Sequence, residues 1–270
     1  MSQFGRRVQV QIQRRGAPSA RALEGLRVTC TARRSTTEAP DKAALVIYGA
    51  APESLEDLAA NGTLVRVLAG YRDGAFAAVL SGTIVSGTLD ILRQSGEVVA
   101  SMQIADGRTE VRARALSRSW DQVSASEVLA WAIQQSGLAS GSISLGVDVA
   151  YTRGFVALGT AADVLRQIGA DTRSTIVIQD GIVAAYPSGE ARRPTSLLLS
   201  PDSGMVGSPR QVEKGHVEVV TLLAPTLRPG DRYRVSAERL SGDYVAIDVT
   251  TEIDSQEGPF YSRPVGARVG

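Results

Sequence analysis

The chain has 270 residues, 43% of them hydrophobic and 21% charged, with a formal net charge of +1. That length and composition hold two or three small domains with real cores and exclude wholesale disorder. No apolar run of about 18 residues occurs, so no transmembrane helix is expected. The opening MSQFGRRVQVQIQRRG lacks the apolar centre of a secretion signal, and the single cysteine, Cys30, cannot form an internal disulfide.

The near-neutral total hides an asymmetry. Residues 1–34 carry eight arginines and one acid, Glu24, whereas the remainder carries 21 basic and 27 acidic groups. A basic first segment suits a strand with a polar face, and equally an acidic protein or nucleic acid as neighbour. Of the 29 basic residues only Lys42 and Lys214 are lysines, and the arginines are scattered rather than gathered into a phosphate-reading site.

In chain order, Val8, Val10 and Ile12 alternate with Gln9, Gln11 and Gln13, the period of a half-buried strand. Leu26–Thr31 and Ala43–Tyr48 predict two more strands, separated by a polar loop over Arg33–Asp41. Cys30 lies in the first of these runs as a small core residue. Pro52 opens a short helix with Leu55, Leu58 and Ala59 on one face, and Asn61-Gly62 closes it. Strands at Leu64–Tyr71, Ala78–Val85, near Ile91 and at Val98–Ile104 follow at roughly ten-residue spacing, the pattern of a barrel or sandwich. Their boundaries blur only around Gln94-Ser95-Gly96.

Beyond Asp106-Gly107, a hairpin-type turn signal, the pattern changes. Val111–Leu116 leads into Trp120. Ser124 and Glu127 are spaced as a capping box, and the helix they start has Val128, Leu129, Ala132 and Ile133 on one face and stops at Gly137. Trp120 and Trp131 read as packing residues. Thr160 and Asp163 repeat the cap signal ahead of Val164, Leu165 and Ile168, and Thr175–Gln179, Asp180-Gly181 and Ile182–Tyr186 form a hairpin. A polar linker, Pro187–Pro194, then returns to β-prone sequence: Leu197–Ser200, a strand at Val217–Leu223, a stiff turn with two prolines and a glycine over Ala224–Asp231, a strand from Arg232, and Tyr244–Val249. The expected fold is mainly β with a small α+β insertion: a first β-barrel with a short helix over 1–108, an α+β module over 109–191 and a second β-barrel over 192–270.

Chemistry-bearing patterns are sparse. His216 is the only histidine and is expected in an exposed turn, so neither a multi-histidine metal site nor a Ser-His-Asp triad can be built away from it. No nucleophile elbow, P-loop or dinucleotide-binding glycine motif occurs. Glu53, Glu56 and Asp57 fall on the short helix, where first-turn acids complement the helix dipole. Asp231 and Asp243 follow glycines in turns, where bonding to backbone is the usual role. Asn61-Gly62-Thr63 spells a glycosylation sequon but reads as a helix stop. No catalytic group, metal or cofactor is expected.

Several short phrases nevertheless occur in a fixed order: Tyr48-Gly49-Ala50-Ala51-Pro52-Glu53, Ala69-Gly70-Tyr71, Gly82-Thr83-Ile84, Asp106-Gly107, Leu222-Leu223-Ala224-Pro225, Pro229-Gly230-Asp231, and a closing stretch from Tyr244 to Ser262 in which Asp254 lacks the glycine that usually precedes it. In this order, over about residues 26–270, the chain resembles the baseplate or tail hub proteins of tailed bacteriophages, which join the tail tube to the central spike. The resemblance implies two tail-tube-like barrels per subunit and a homotrimer whose six barrels ring a channel for DNA ejection. Its implied partners are copies of itself, the tail tube and central spike proteins, and tape-measure and baseplate wedge proteins. DNA would be present only in transit, with no stable membrane association. It implies a non-enzymatic virion protein of the phage tail, assembled in the host cytoplasm. Gly70, Tyr71, Gly82, Leu222, Leu223, Pro225, Pro229, Gly230 and Asp231 carry the motif and are interface candidates; Arg6, Arg7, Arg14 and Arg15 are candidates for contact with an acidic partner. A carbohydrate- or peptidoglycan-binding β protein is the alternative, although 13 aromatic residues in 270 are few for it. A tube initiator or adaptor is another, which would need only one barrel.

Overall fold

A computed structural model describes residues 5–36, 42–94, 96–106 and 114–269. Two compact units appear, one of residues 1–105 with 193–270 and one of residues 106–192. Gly107 and residues 111–113, part of the turn and run expected beyond Asp106, lie outside the described residues. Among the described residues no helix is long and apolar enough to cross a membrane.

In the larger unit the first barrel comprises β1 (Arg6–Gln13), β2 (Arg21–Glu24), β3 (Val28–Ser35), β4 (Lys42–Tyr48), β5 (Leu64–Tyr71), β6 (Phe76–Ile84), β7 (Asp90–Gln94) and β8 (Glu97–Ala105). They pair antiparallel in the order β2-β1-β5-β6-β8-β4-β3, with β7 alongside β8. Period-two alternation points Val10, Ile12, Cys30, Leu45, Ile47, Val65 and Val67 inward, where each is buried. β3 runs through Arg33 to Ser35, residues expected in the polar loop; residues 37–41 of that expectation lie outside the described residues. The far end of β3 is held by Lys42 opposite Arg33 and Asp248 opposite Ser35. Helix α1 (Pro52–Ala59) has proline in its first turn and buries Leu58 and Ser54, while Ala59 is exposed. Its C-terminal carbonyls are closed by Thr63, whose hydroxyl lies 2.8 Å from both the Asp57 and the Ala60 oxygen. Thr63 therefore completes the stop that Asn61-Gly62 begins.

The unit of residues 106–192 holds β9 (Ala115–Trp120), β10 (Val123–Ser124), α2 (Ala125–Ser136), β11 (Ala139–Ile143), β12 (Ala150–Tyr151), β13 (Phe155–Thr160), α3 (Ala161–Asp171), β14 (Ser174–Gln179) and β15 (Ile182–Pro187). Both helices start with reciprocal capping boxes, Ser124 with Glu127 and Thr160 with Asp163. β14 and β15 form the expected hairpin, with Asp180 and Gly181 both at positive φ, 53° and 78°. The apolar faces of α2 and α3 meet in one core with Phe155 and Val183. Trp120 and Trp131 pack edge-to-face at its margin, 5.0 Å apart, with the Arg118 guanidinium over both rings.

The second barrel uses β16 (Arg193–Leu199), β17 (Arg210–Gln211), β18 (Val217–Glu218), β19 (Thr221–Leu222), β20 (Asp231–Ser236), β21 (Ser241–Asp254) and β22 (Phe260–Arg268). The single strand expected over Val217–Leu223 is two short pieces in one register against β22. Between them Val219 donates to the Pro264 carbonyl, and Pro264 has no N–H to return the bond. β16 lies parallel to β20, and Tyr233, Val235, Tyr244, Ala246 and Val249 fill the core. His216 is half-buried in the turn before β18 rather than exposed.

The 14-residue β21 joins the barrels. Its first half pairs with β20 and its second half, Asp248–Asp254, pairs with β3, while β22 runs along its other side. The change of partner occurs at a bulge beside Ile247. Tyr244 and Ala246 are buried before it and Val249, Thr251 and Ile253 after it, so one extra residue shifts the inward parity by one. The Ile247 carbonyl extends the β3 register by one residue, accepting the Thr36 N–H at 2.9 Å and the Ser35 hydroxyl at 3.2 Å. One hydrogen-bonded sheet therefore runs through both barrels.

Candidate functional site

Tyr71, Leu222, Leu223 and the turn that carries Pro225, Pro229, Gly230 and Asp231 meet at the seam between the two barrels. Leu223, which follows β19, is 1% exposed and belongs to the first barrel's core together with Ile253 and Phe260. Its N–H is shared between the Phe260 carbonyl at 3.1 Å and the Tyr71 hydroxyl at 3.2 Å. Tyr71 meets Phe260 edge-to-face, with centroids 5.4 Å apart, and burial pushes its phenol pKa up. Leu222, half-buried beside it, donates to the Gly204 carbonyl at 2.8 Å.

The turn that follows is tied by its own sequence. The Arg228 N–H donates to the Asp231 carboxylate at 2.9 Å, the Asp231 N–H returns to the Arg228 carbonyl at 3.1 Å, and Gly230 donates to Ala246 at 2.7 Å. Pro225, Pro229, Gly230 and Asp231 are all buried. The Arg228 guanidinium donates to the Pro225 carbonyl at 2.7 Å and to the Leu227 carbonyl at 3.0 Å, then reaches across to the Ala78 carbonyl of β6. One arginine thus clamps the second barrel's turn onto a first-barrel strand.

Gly70 and Gly82 serve close backbone approach. A Cβ at Gly70 would collide with the Ala75 carbonyl across the β5–β6 turn, and one at Gly82 with the Ala105 carbonyl at the end of β8. The second clash lies where β6 and β8 share only two register pairs, the narrow join that closes this side of the barrel.

The N-terminal arginines have separate duties. Arg6 donates to the Asp254 and Gly258 carbonyls, both at 2.9 Å, with its guanidinium 5.1 Å from the Phe260 ring, so it fastens β1 to the β21–β22 turn. Arg7 lies 4.3 Å from the Phe76 ring centre and 3.4 Å from Glu24. Arg14 pairs with Asp57 at 2.5 Å, which Arg21 also holds at 2.6 Å, and these arginines, Arg21 first, lower the Asp57 carboxyl. Arg15 is exposed, its stem beside Gly62. The four do not form one basic stripe.

Asp254 is buried at the tip of this seam. Burial alone would raise its carboxyl; the Gln256 N–H, the Arg27 guanidinium at 3.0 Å and the Glu257 N–H outweigh that and leave it below the usual carboxylate range. Asp243, expected to bond backbone in a turn, instead forms cross-strand ion pairs with Arg232 and Arg234, both at 2.7 Å. Among the described residues no group of three or more His, Cys, Asp or Glu side chains is placed to hold a metal ion. The arrangement can lock two barrels into one body. Arg228 and the Ile247 bulge, which do much of this, are not singled out by the sequence, and Phe260 enters there only within the closing stretch from Tyr244 to Ser262; the local signal for Arg228 is its position inside the proline-rich turn.

No family model and no curated protein sequence matches the chain. Solved structures do share its fold. The 43 kDa tail protein of prophage MuSo2 from Shewanella oneidensis is 9% identical with a TM-score of 0.67, covering 96% of each chain. A tail protein from Neisseria meningitidis MC58 is 11% identical with a TM-score of 0.66, over 98% of this chain and 97% of that one. An Escherichia coli type VI secretion component, described as structurally similar to bacteriophage T4 tail proteins gp27 and gp5, is 11% identical with a TM-score of 0.62, over 96% of this chain and 77% of that one. The chain therefore shares its fold with these tail proteins and the type VI secretion component.

Proposed function

We propose that the chain is a structural protein of a phage tail, the hub at the distal end of the tail tube. The observation that carries this reading is the pair of barrels fused through one shared strand, in a fold matched end to end by tail proteins. In a homotrimer, a heterologous contact that closes after three copies places six barrels around a channel. A threefold spike then meets a sixfold tube, with the channel open to DNA during ejection. The barrels of 1–108 and 192–270 form the ring, and the module of 109–191 decorates it. The motif residues serve assembly by fixing one barrel against the other within each subunit, so that the ring has a single geometry. Partners are further copies of the chain, the tube and spike proteins, and the tape-measure and wedge proteins of the baseplate; the chain resides in the virion after assembly in the host cytoplasm and catalyses no reaction.

Light scattering of the purified chain, alone and with the spike protein, tests this. Three chains of 28.4 kDa give about 85 kDa; a monomer in both samples would remove the ring. A hub of a type VI secretion apparatus is the second reading, favoured by the likeness to the E. coli component. Recovery of the chain in purified phage particles separates the two.

A further inference from the structure

A cleft of about 330 Å3 opens where the start of β1, the β2–β3 turn, the β5–β6 turn and the β21–β22 turn converge. Arg6, Arg7, Arg72, Glu24, Leu26 and Ser255 line it. Three arginines and one glutamate are among its lining residues, and the three arginines differ in how far they are committed. Arg6 is anchored by two carbonyls and a ring, and Arg7 by a ring and a 3.4 Å contact to Glu24, which also accepts from Gln9. Each guanidinium has five N–H donors in a rigid fork, so these anchors orient the group and leave donors over. Arg72 is exposed, and its guanidinium has no hydrogen-bond or ion-pair partner among the described residues; its stem lies along Gly5.

We propose that this cleft binds a carboxylate side chain from an acidic segment of a partner protein. A planar carboxylate matches the guanidinium fork in two parallel hydrogen bonds. Val8 and Leu26 on the wall suit the methylene stem of a glutamate. The volume lies at the lower end of small-ligand sites, about 300–1,000 Å3, enough for one or two side chains and too small for a folded element. Glu24 disfavours a doubly charged phosphate more than a singly charged carboxylate, because like charges at this range repel in proportion to charge. The site concerns only Arg6, Arg7 and Arg72; Arg14, tied to Asp57, lies outside it. This inference stands on the cleft's own chemistry and holds whatever assembly the chain enters, so its failure leaves the hub reading intact.

The test is fluorescence anisotropy of labelled hexaglutamate with the full chain at 50 mM NaCl, repeated with Arg72→Gln and with the exposed β7 control Arg93→Gln. Loss of one charge-assisted contact is worth roughly tenfold or more in affinity. Arg72→Gln is therefore expected to weaken binding at least about tenfold while Arg93→Gln leaves it unchanged. Absence of binding by the unaltered chain, equal weakening by both variants, or displacement of hexaglutamate by an equal charge of single-stranded DNA would each overturn the proposal.

Discussion

Phe260 is the sharpest probe of how the two barrels are joined. It belongs to the C-terminal strand, yet it is 1% exposed inside the first barrel's core, against Tyr71 and beneath Arg6. Truncating a buried Phe to Ala costs about 3–5 kcal/mol, a range that already contains the aromatic contact and the cavity left behind. Arg6 loses its ring, but its two carbonyl bonds remain, so the upper half of that range is not needed. For a unit of about 180 residues, 1 kcal/mol moves the midpoint by about 2–4 °C, so Phe260→Ala should lower the larger unit's melting temperature by about 10 °C. Calorimetry gives the shift, and hydrogen exchange read by peptide mass spectrometry gives its location. With a shared strand, protection falls together in β5 of the first barrel and β20 of the second. If exchange rises in β20 and β22 while β5 keeps its full protection, the barrels unfold independently and the reasoning from the shared strand is wrong.

Other consequences follow from single groups. The Tyr233 hydroxyl is fully buried and has no partner among the described residues, so Tyr233→Phe should stabilise the second barrel by about 1 kcal/mol in a urea melt. Gly266→Ala would push a Cβ into that hydroxyl and cost about 1–3 kcal/mol, less in the Tyr233→Phe background; equal costs in both would show that the two do not touch. Arg234 and then Arg232 hold the Asp243 carboxyl far below the usual range. A depressed folded pKa gives stability that is present above the unfolded value of about 3.9 and is lost as pH falls through the folded one. Asp243→Asn should therefore flatten the acid limb of stability below about pH 4, and an unchanged limb would contradict the pairing. Burial raises the Cys30 thiol to about 12, so at pH 8 a thiol reagent should label it only when the larger unit opens. Rapid labelling of the native chain would place Cys30 elsewhere.

What the sequence made legible was local. Ser124 with Glu127, Thr160 with Asp163, and Asp180-Gly181 each act within four residues, and the structure forms all three as read. The alternation in β1 and β5 also survived, because period two directly reports which side meets the core. Tyr244–Val249 looked like one regular run, but its inward parity changes at Ile247, and nothing within that run announces the arrival of β3 from more than 200 residues earlier. For the same reason Arg228 read only as part of a turn, although its guanidinium reaches Ala78. Asp243 read as a turn residue because Gly242 precedes it, whereas Arg232 and Arg234 reach it only through the β20–β21 register. The motif residues were found by their order along the chain, and the seam they build is visible only once the barrels are paired.

The most direct measurement is electron microscopy of the purified chain after mixing with its tube and spike proteins. Particles with three copies arranged as six barrel-sized lobes around an open channel are expected. Particles with a single pair of lobes, or a closed ring without a central opening, would contradict it.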